Sequence, residues 1–168
     1  MKELQQLQSG DWDQVQSALE AARDRGDIRW VRPLLEAFRD ASDEAIREAI
    51  GQVLGSLKVS EAGDVFQDAL DDPEYAGVEP DIISFMWNTG LMPEEALLRV
   101  AEVGTSGDYR AALEALTWIE QLESVQNEHL LLEAILIVRG SIEDADKVEM
   151  KSLAEPMLEA LHALERAQ

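Results

Sequence analysis

Apolar residues return every three or four positions along nearly the whole chain, and that spacing leaves few folds open to it. A helix turns once in about 3.6 residues, so this rhythm gathers the apolar side chains of each segment on one face. No stretch alternates apolar and polar residues with β-branched enrichment, so no sheet is expected. Gly, Asp and Ser interrupt the rhythm and divide the chain into helices expected near 11–24, 28–40, 42–57, 61–71, 80–90, 93–104, 108–123, 126–139 and 143–166, with a short leading turn in 1–8. Asp11, Asp27, Ser42, Asp81 and Asp108 stand where helix starts need side-chain acceptors. Pro93, followed by Glu94 and Glu95, reads as a helix opening, with acids toward the positive end of the dipole. Gly26, Gly90, Gly104 and Gly140 stand where helices should stop. The one long connection runs from Asp72 to Pro80.

A second, longer period lies over the first. The pattern apolar-apolar-x-x-apolar occurs at Leu34-Leu35…Phe38, Val65-Phe66…Ala69, Leu97-Leu98…Ala101 and Leu131-Leu132…Ile135, in steps of 31, 32 and 34 residues. The helices before these carry their own pairs, Ala18-Leu19, Ala49-Ile50, Met86-Trp87 and Ala115-Leu116. Helix pairs at a near-constant period cannot each bury an apolar face alone; stacked, they share one continuous core. The expected fold is therefore all-α, an α-solenoid of about four helix pairs (about 11–40, 42–71, 80–104 and 108–139) in a single domain over 1–168. A helix at 143–166 closes the open end, with Glu143, Glu149, Glu155, Glu159 and Glu165 on its outer face. A helical bundle with hairpins of similar length is the competing architecture.

The run Gly26-Asp27-Ile28-Arg29-Trp30-Val31-Arg32-Pro33-Leu34-Leu35-Glu36-Ala37-Phe38 resembles the short bacterial type of HEAT repeat, with an Asp opening the second helix and a proline ahead of the paired leucines. Gly107-Asp108-Tyr109-Arg110-Ala111-Ala112-Leu113-Glu114 looks like the start of another repeat. The middle repeats depart from the pattern, since no proline precedes Val65 or Leu131. The resemblance implies a right-handed α-α superhelix and a non-enzymatic role in binding a partner protein or peptide on the concave face. In such stacks the second helix of each pair lines that face. The positions flanking the paired apolar residues then give Arg32, Glu36, Arg39, Gln67, Glu95, Arg99 and Glu133 as a groove, with Trp30 beside it as a binding anchor. A guanidinium fork pairs carboxylates in bidentate fashion, so the partner expected here is acidic and polar. The same side chains also read as the intrahelical pairs Arg32–Glu36 and Glu95–Arg99, each four residues apart.

Charge and composition exclude more than they select. Acidic residues outnumber basic ones 35 to 14, a net charge of −21, where a small soluble domain carries a magnitude of roughly 2–8. That field repels phosphate, so neither nucleic-acid backbones nor anionic membranes are expected partners. Only Lys2, Lys58, Lys147 and Lys151 are lysines, against ten arginines, the balance expected of a protein from a salt-rich cytoplasm. There is no cysteine, which removes disulfides, thiolate nucleophiles and Cys-ligated metals together. His129 and His162 stand without a zinc-protease spacing and read as surface residues, and Asp64 and Asp68 read as a solvated acidic edge. No phosphate-binding loop, nucleophile elbow or calcium loop occurs, so no enzyme and no cofactor are expected. The N-terminal residues lack the apolar core of a signal peptide, and cytoplasm is the expected address. Two other readings accompany the scaffold: an acidic mimic of nucleic acid that occupies a DNA- or RNA-binding protein, and a HEAT-like enzyme such as a bilin lyase or DNA glycosylase. Net acidity argues against a glycosylase groove.

Overall fold

The computed structural model describes residues 2–144 and 151–168; positions 145–150 of the expected closing helix, Glu149 among them, lie outside these, and Glu143 ends the helix before it instead of opening the closing one. Among the described residues the chain is all-helical, with no strand. The helices are α1 (Lys2–Leu7), α2 (Trp12–Arg25), α3 (Val31–Asp40), α4 (Glu44–Leu54), α5 (Ala62–Asp71), α6 (Glu79–Thr89), α7 (Leu97–Ser106), α8 (Tyr109–Gln121), α9 (Glu128–Glu143) and α10 (Lys151–Arg166). Short 3-10 turns at Ile28–Trp30, Pro73–Tyr75 and Glu94–Ala96 lead into, or lie between, these elements.

The caps explain most boundaries. Asp11 and Asp108 accept from the N–H groups of Gln14 and Ala111, and Asp27 from Arg29, which starts the 3-10 turn ahead of α3. Gly26 ends α2, and Gly90 ends α6, in the left-handed conformation that glycine adopts without a Cβ clash. Four expectations change. Asp43, not Ser42, caps α4, accepting from Ile46 N–H at 3.1 Å. Asp81 lies inside α6, where it pairs with Arg110 instead of capping. Gly104 lies within α7 against α8: a Cβ there would stand 2.5 Å from Ala115 Cβ, so the glycine serves close approach, and the helix stops at Gly107. Gly140 lies within α9, which runs on to Glu143. The leading segment is a full helix whose Leu7 joins the core.

Helices pack in a regular order. α2 lies on α4, α4 on α6, α6 on α8 and α8 on α10; α1 lies on α3, α3 on α5 and α7 on α9. Between α5 and α7, Arg99 Nε donates to the Leu70 carbonyl at 3.2 Å. Across the two rows, α1 packs with α2, α3 with α4, α5 with α6, α7 with α8 and α9 with α10. One connected set of buried side chains runs from Leu7 to Leu164, including Leu34, Leu35, Ile50, Phe66, Ile82, Leu97, Trp118 and Leu161. Polar braces repeat the same step. Trp87 on α6 donates to Glu114 on α8 at 2.7 Å, and Glu94 Oε2 accepts from the N–H of Gln126 just before α9, also at 2.7 Å.

Candidate partner-binding surface

The groove expected from the sequence falls into three separate local arrangements. On α3, Arg32 is exposed and Glu36 and Arg39 are half-buried. All three lie close enough to the Tyr75 hydroxyl to act on it electrostatically. Tyr75 itself is 1% exposed, so the three charged residues lie around a buried ring. Arg39 is held from three sides. Its guanidinium takes both oxygens of Asp40, at 2.8 and 3.0 Å, reaches Glu74 at 3.4 Å, and sits 5.0 Å above the Tyr75 ring. The hydrogen bond from Arg39 holds the Asp40 carboxyl below its ordinary range, and the same bond raises the Arg39 guanidinium. Burial pushes the Tyr75 phenol above its ordinary value.

Arg99 is likewise occupied. Besides its bond to Leu70, it pairs with Glu102 at 3.3 Å and approaches Glu79 at 4.0 Å. Neither Arg32–Glu36 nor Glu95–Arg99 forms an ion pair among the described residues, and Arg99 turns to the α5 end and to Glu79 instead. Glu133 pairs with His129 along α9 at 2.7 Å. Gln67 is half-buried and Glu95 exposed, and no contact brings either to the arginines. Trp30, expected beside the groove with an accessible ring, is 1% exposed. It ends the 3-10 turn that feeds α3, and that turn drives its ring into the core. Among the described residues, Arg32 has no carboxylate within ion-pair distance, so it is the cation of the expected set still free to meet a partner.

Two surface features escaped the sequence reading. A groove of about 590 Å³ lies along α4, α6 and the start of α8, bordered by Arg47, Asp81, Asn88 and Arg110 over Phe38 and Phe85. The two rings meet edge to face at 5.2 Å, and Arg47 lies 5.6 Å over Phe38 while donating to the Ala41 carbonyl that ends α3. The other feature is Leu132 and Leu136 on α9, 50% and 64% exposed. Leu132 counted as half of a core pair in the sequence; only Leu131 is buried. The available signal was excess: Leu130-Leu131-Leu132 and Ile135-Leu136-Ile137 hold more apolar residues than one helix face can bury.

No group of three or more His, Cys, Asp or Glu side chains able to hold a metal ion occurs among the described residues, and none of their helices is long and apolar enough to cross a membrane. No protein-family model, curated protein or solved structure matches the chain significantly.

Proposed function

We propose that the chain is a non-enzymatic interaction module, an α-solenoid of HEAT-like helix pairs that binds an acidic, polar segment of a partner protein along the row α3, α5, α7 and α9. The packing of helices on those two places later, in every step but α5 to α7, supports the solenoid reading. The observation that carries the binding reading is Arg32: in a chain with 35 acids and 14 bases it is exposed and unpaired among the described residues, beside Glu36 and the Arg39–Asp40 pair. Arg39 and Arg99 act in this reading as braces that fix the surface, and Arg32 makes the contact.

Selection from a displayed random-peptide library tests this. The expected outcome is enrichment of peptides rich in Asp and Glu, with binding lost for Arg32→Glu and retained for Arg23→Glu on α2. No enrichment, or equal binding by Arg32→Glu, overturns it. The reverse substitution at an exposed site leaves the core intact, so a loss of binding is read against an unchanged unfolding curve.

A further inference from the structure

We propose that the outer face of α9 pairs with the same face of a second copy of this chain, antiparallel across a two-fold axis, to form a salt-dependent dimer. The face is independent of Arg32. α9 is the last helix of its row among the described residues: α7 packs on one side of it and α10 joins it from the other row. Its inward side buries Leu131, Ala134, Ile135 and Val138. Its outward side presents Leu132 and Leu136, one turn apart and at least half exposed. Exposed leucines one turn apart form the small apolar seam that a facing helix covers.

Charge complementarity names the occupant. Arg139 is exposed and has no ion-pair partner among the described residues, and Glu128 is exposed at the other end of the helix. Three helical turns take about 10.8 residues, so Glu128 and Arg139 lie on the same flank of the leucine seam. A two-fold axis placed midway between Leu132 and Leu136 sets Leu132 of one copy opposite Leu136 of the other. Arg139 then lies five residues past the axis and Glu128 six residues before it. At a rise of about 1.5 Å per residue, Arg139 meets Glu128 of the second copy within about 1.5 Å along the axis. Rotation about that axis keeps the flank on the same side, so two such pairs form, one at each end of the seam. The seam is short and each copy carries −21, so association requires screening salt.

Sedimentation equilibrium of the full chain across a concentration series in molar KCl is the test. A mass rising from monomer toward dimer is expected, and Leu136→Glu holds the chain monomeric with an unchanged circular dichroism spectrum. Arg139→Glu and Glu128→Arg each break both pairs and weaken the dimer about threefold, the scale of two exposed ion pairs in screening salt, and the two together restore it. A monomer at every concentration overturns the proposal, as does a dimer indifferent to Leu136→Glu. A dimer that the paired charge reversal fails to restore overturns the antiparallel register.

Discussion

Glu94 and Asn127 stand 33 residues apart in the chain, yet Oε1 of Glu94 accepts the backbone N–H of Asn127 at 3.1 Å. Its other oxygen accepts the N–H of Gln126, so one carboxylate from the turn before α7 holds the entry to α9. Asn127 in turn caps α9, accepting from His129 and Leu130 N–H. The contact fixes where one helix of the row begins relative to the one before it, and it puts negative charge at the positive end of the α9 dipole.

Removal of that carboxylate leaves two backbone donors without their acceptor. Glu94→Ala is expected to lower unfolding free energy by about 0.5–1.5 kcal/mol, the net worth of a hydrogen bond whose exposed donors water can reach. Glu94→Gln keeps one carbonyl oxygen and is expected to lose less. Urea unfolding of the three proteins measures both. Equal stability for wild type and Glu94→Ala would show that water replaces the bond at no cost.

Gly104 and Gly140 both lie inside helices, and alanine is expected to move them in opposite directions. At Gly104 the new methyl would overlap Ala115, which forces α7 from α8 and is expected to cost about 1–3 kcal/mol. At Gly140 the new methyl meets no atom within 4 Å, so only the helix preference acts, and a gain of about 0.5–1 kcal/mol is expected. Thermal melts at a concentration where the chain is monomeric separate the two, and a loss at both positions would contradict the open space at Gly140.

Tyr75 buries a hydroxyl that has no hydrogen-bond partner among the described residues. Burial holds the phenol protonated above its ordinary value of 10.0 in the folded chain. The unfolded chain therefore ionises first. The stabilisation is complete below pH 10, and it is lost as pH rises from there through the folded value. Tyr75→Phe removes the unsatisfied hydroxyl and its titration, while the ring under Arg39 stays. Its stability at pH 7 is expected to equal or exceed that of wild type, and its decline above pH 10 to be shallower. A variant clearly weaker at pH 7 would mean that the hydroxyl finds a partner in solution.

The helical segments could be read from apolar spacing because burial on one face governs each of them, and their observed limits follow the sequence reading within a few residues over most of the chain. The misplaced ends have local causes. Asp43 outcompetes Ser42 because it stands one residue closer to the first helical N–H groups, and Gly104 marks a close crossing of α7 and α8, a purpose invisible along a single helix. The expected groove fared differently. Spacing places Arg32 and Arg39 on α3 and Arg99 on α7, all in one row, but a long side chain bends toward the nearest acceptor. Arg39 finds Asp40 next to it in sequence, and Arg99 finds the carbonyl of Leu70 a repeat earlier. Trp30 shows the same limit from the other side: a 3-10 turn rotates its ring inward, and a pattern written for α-helix cannot anticipate that rotation.

Salt provides the last prediction, because the acidic excess acts on the whole molecule instead of on one contact. With a net charge of −21 spread along the chain, like charges repel over the compact folded surface more than over an expanded chain. The screening length falls from about 30 Å at 0.01 M to about 3 Å at 1 M, so added KCl shortens repulsion between neighbouring helices. The exposed ion pairs, such as Arg29–Asp27 and Arg25–Glu3, weaken in the same salt, but each contributes little at the surface. Repulsion is therefore the larger effect, and the melting temperature is expected to climb from low salt toward molar KCl. Sucrose, an uncharged solute that stabilises by exclusion from the surface, separates screening from a general solvent effect. A melting temperature flat in KCl would show that the carboxylates are already far enough apart in water, and the argument from composition to a salt-rich cytoplasm would fail with it.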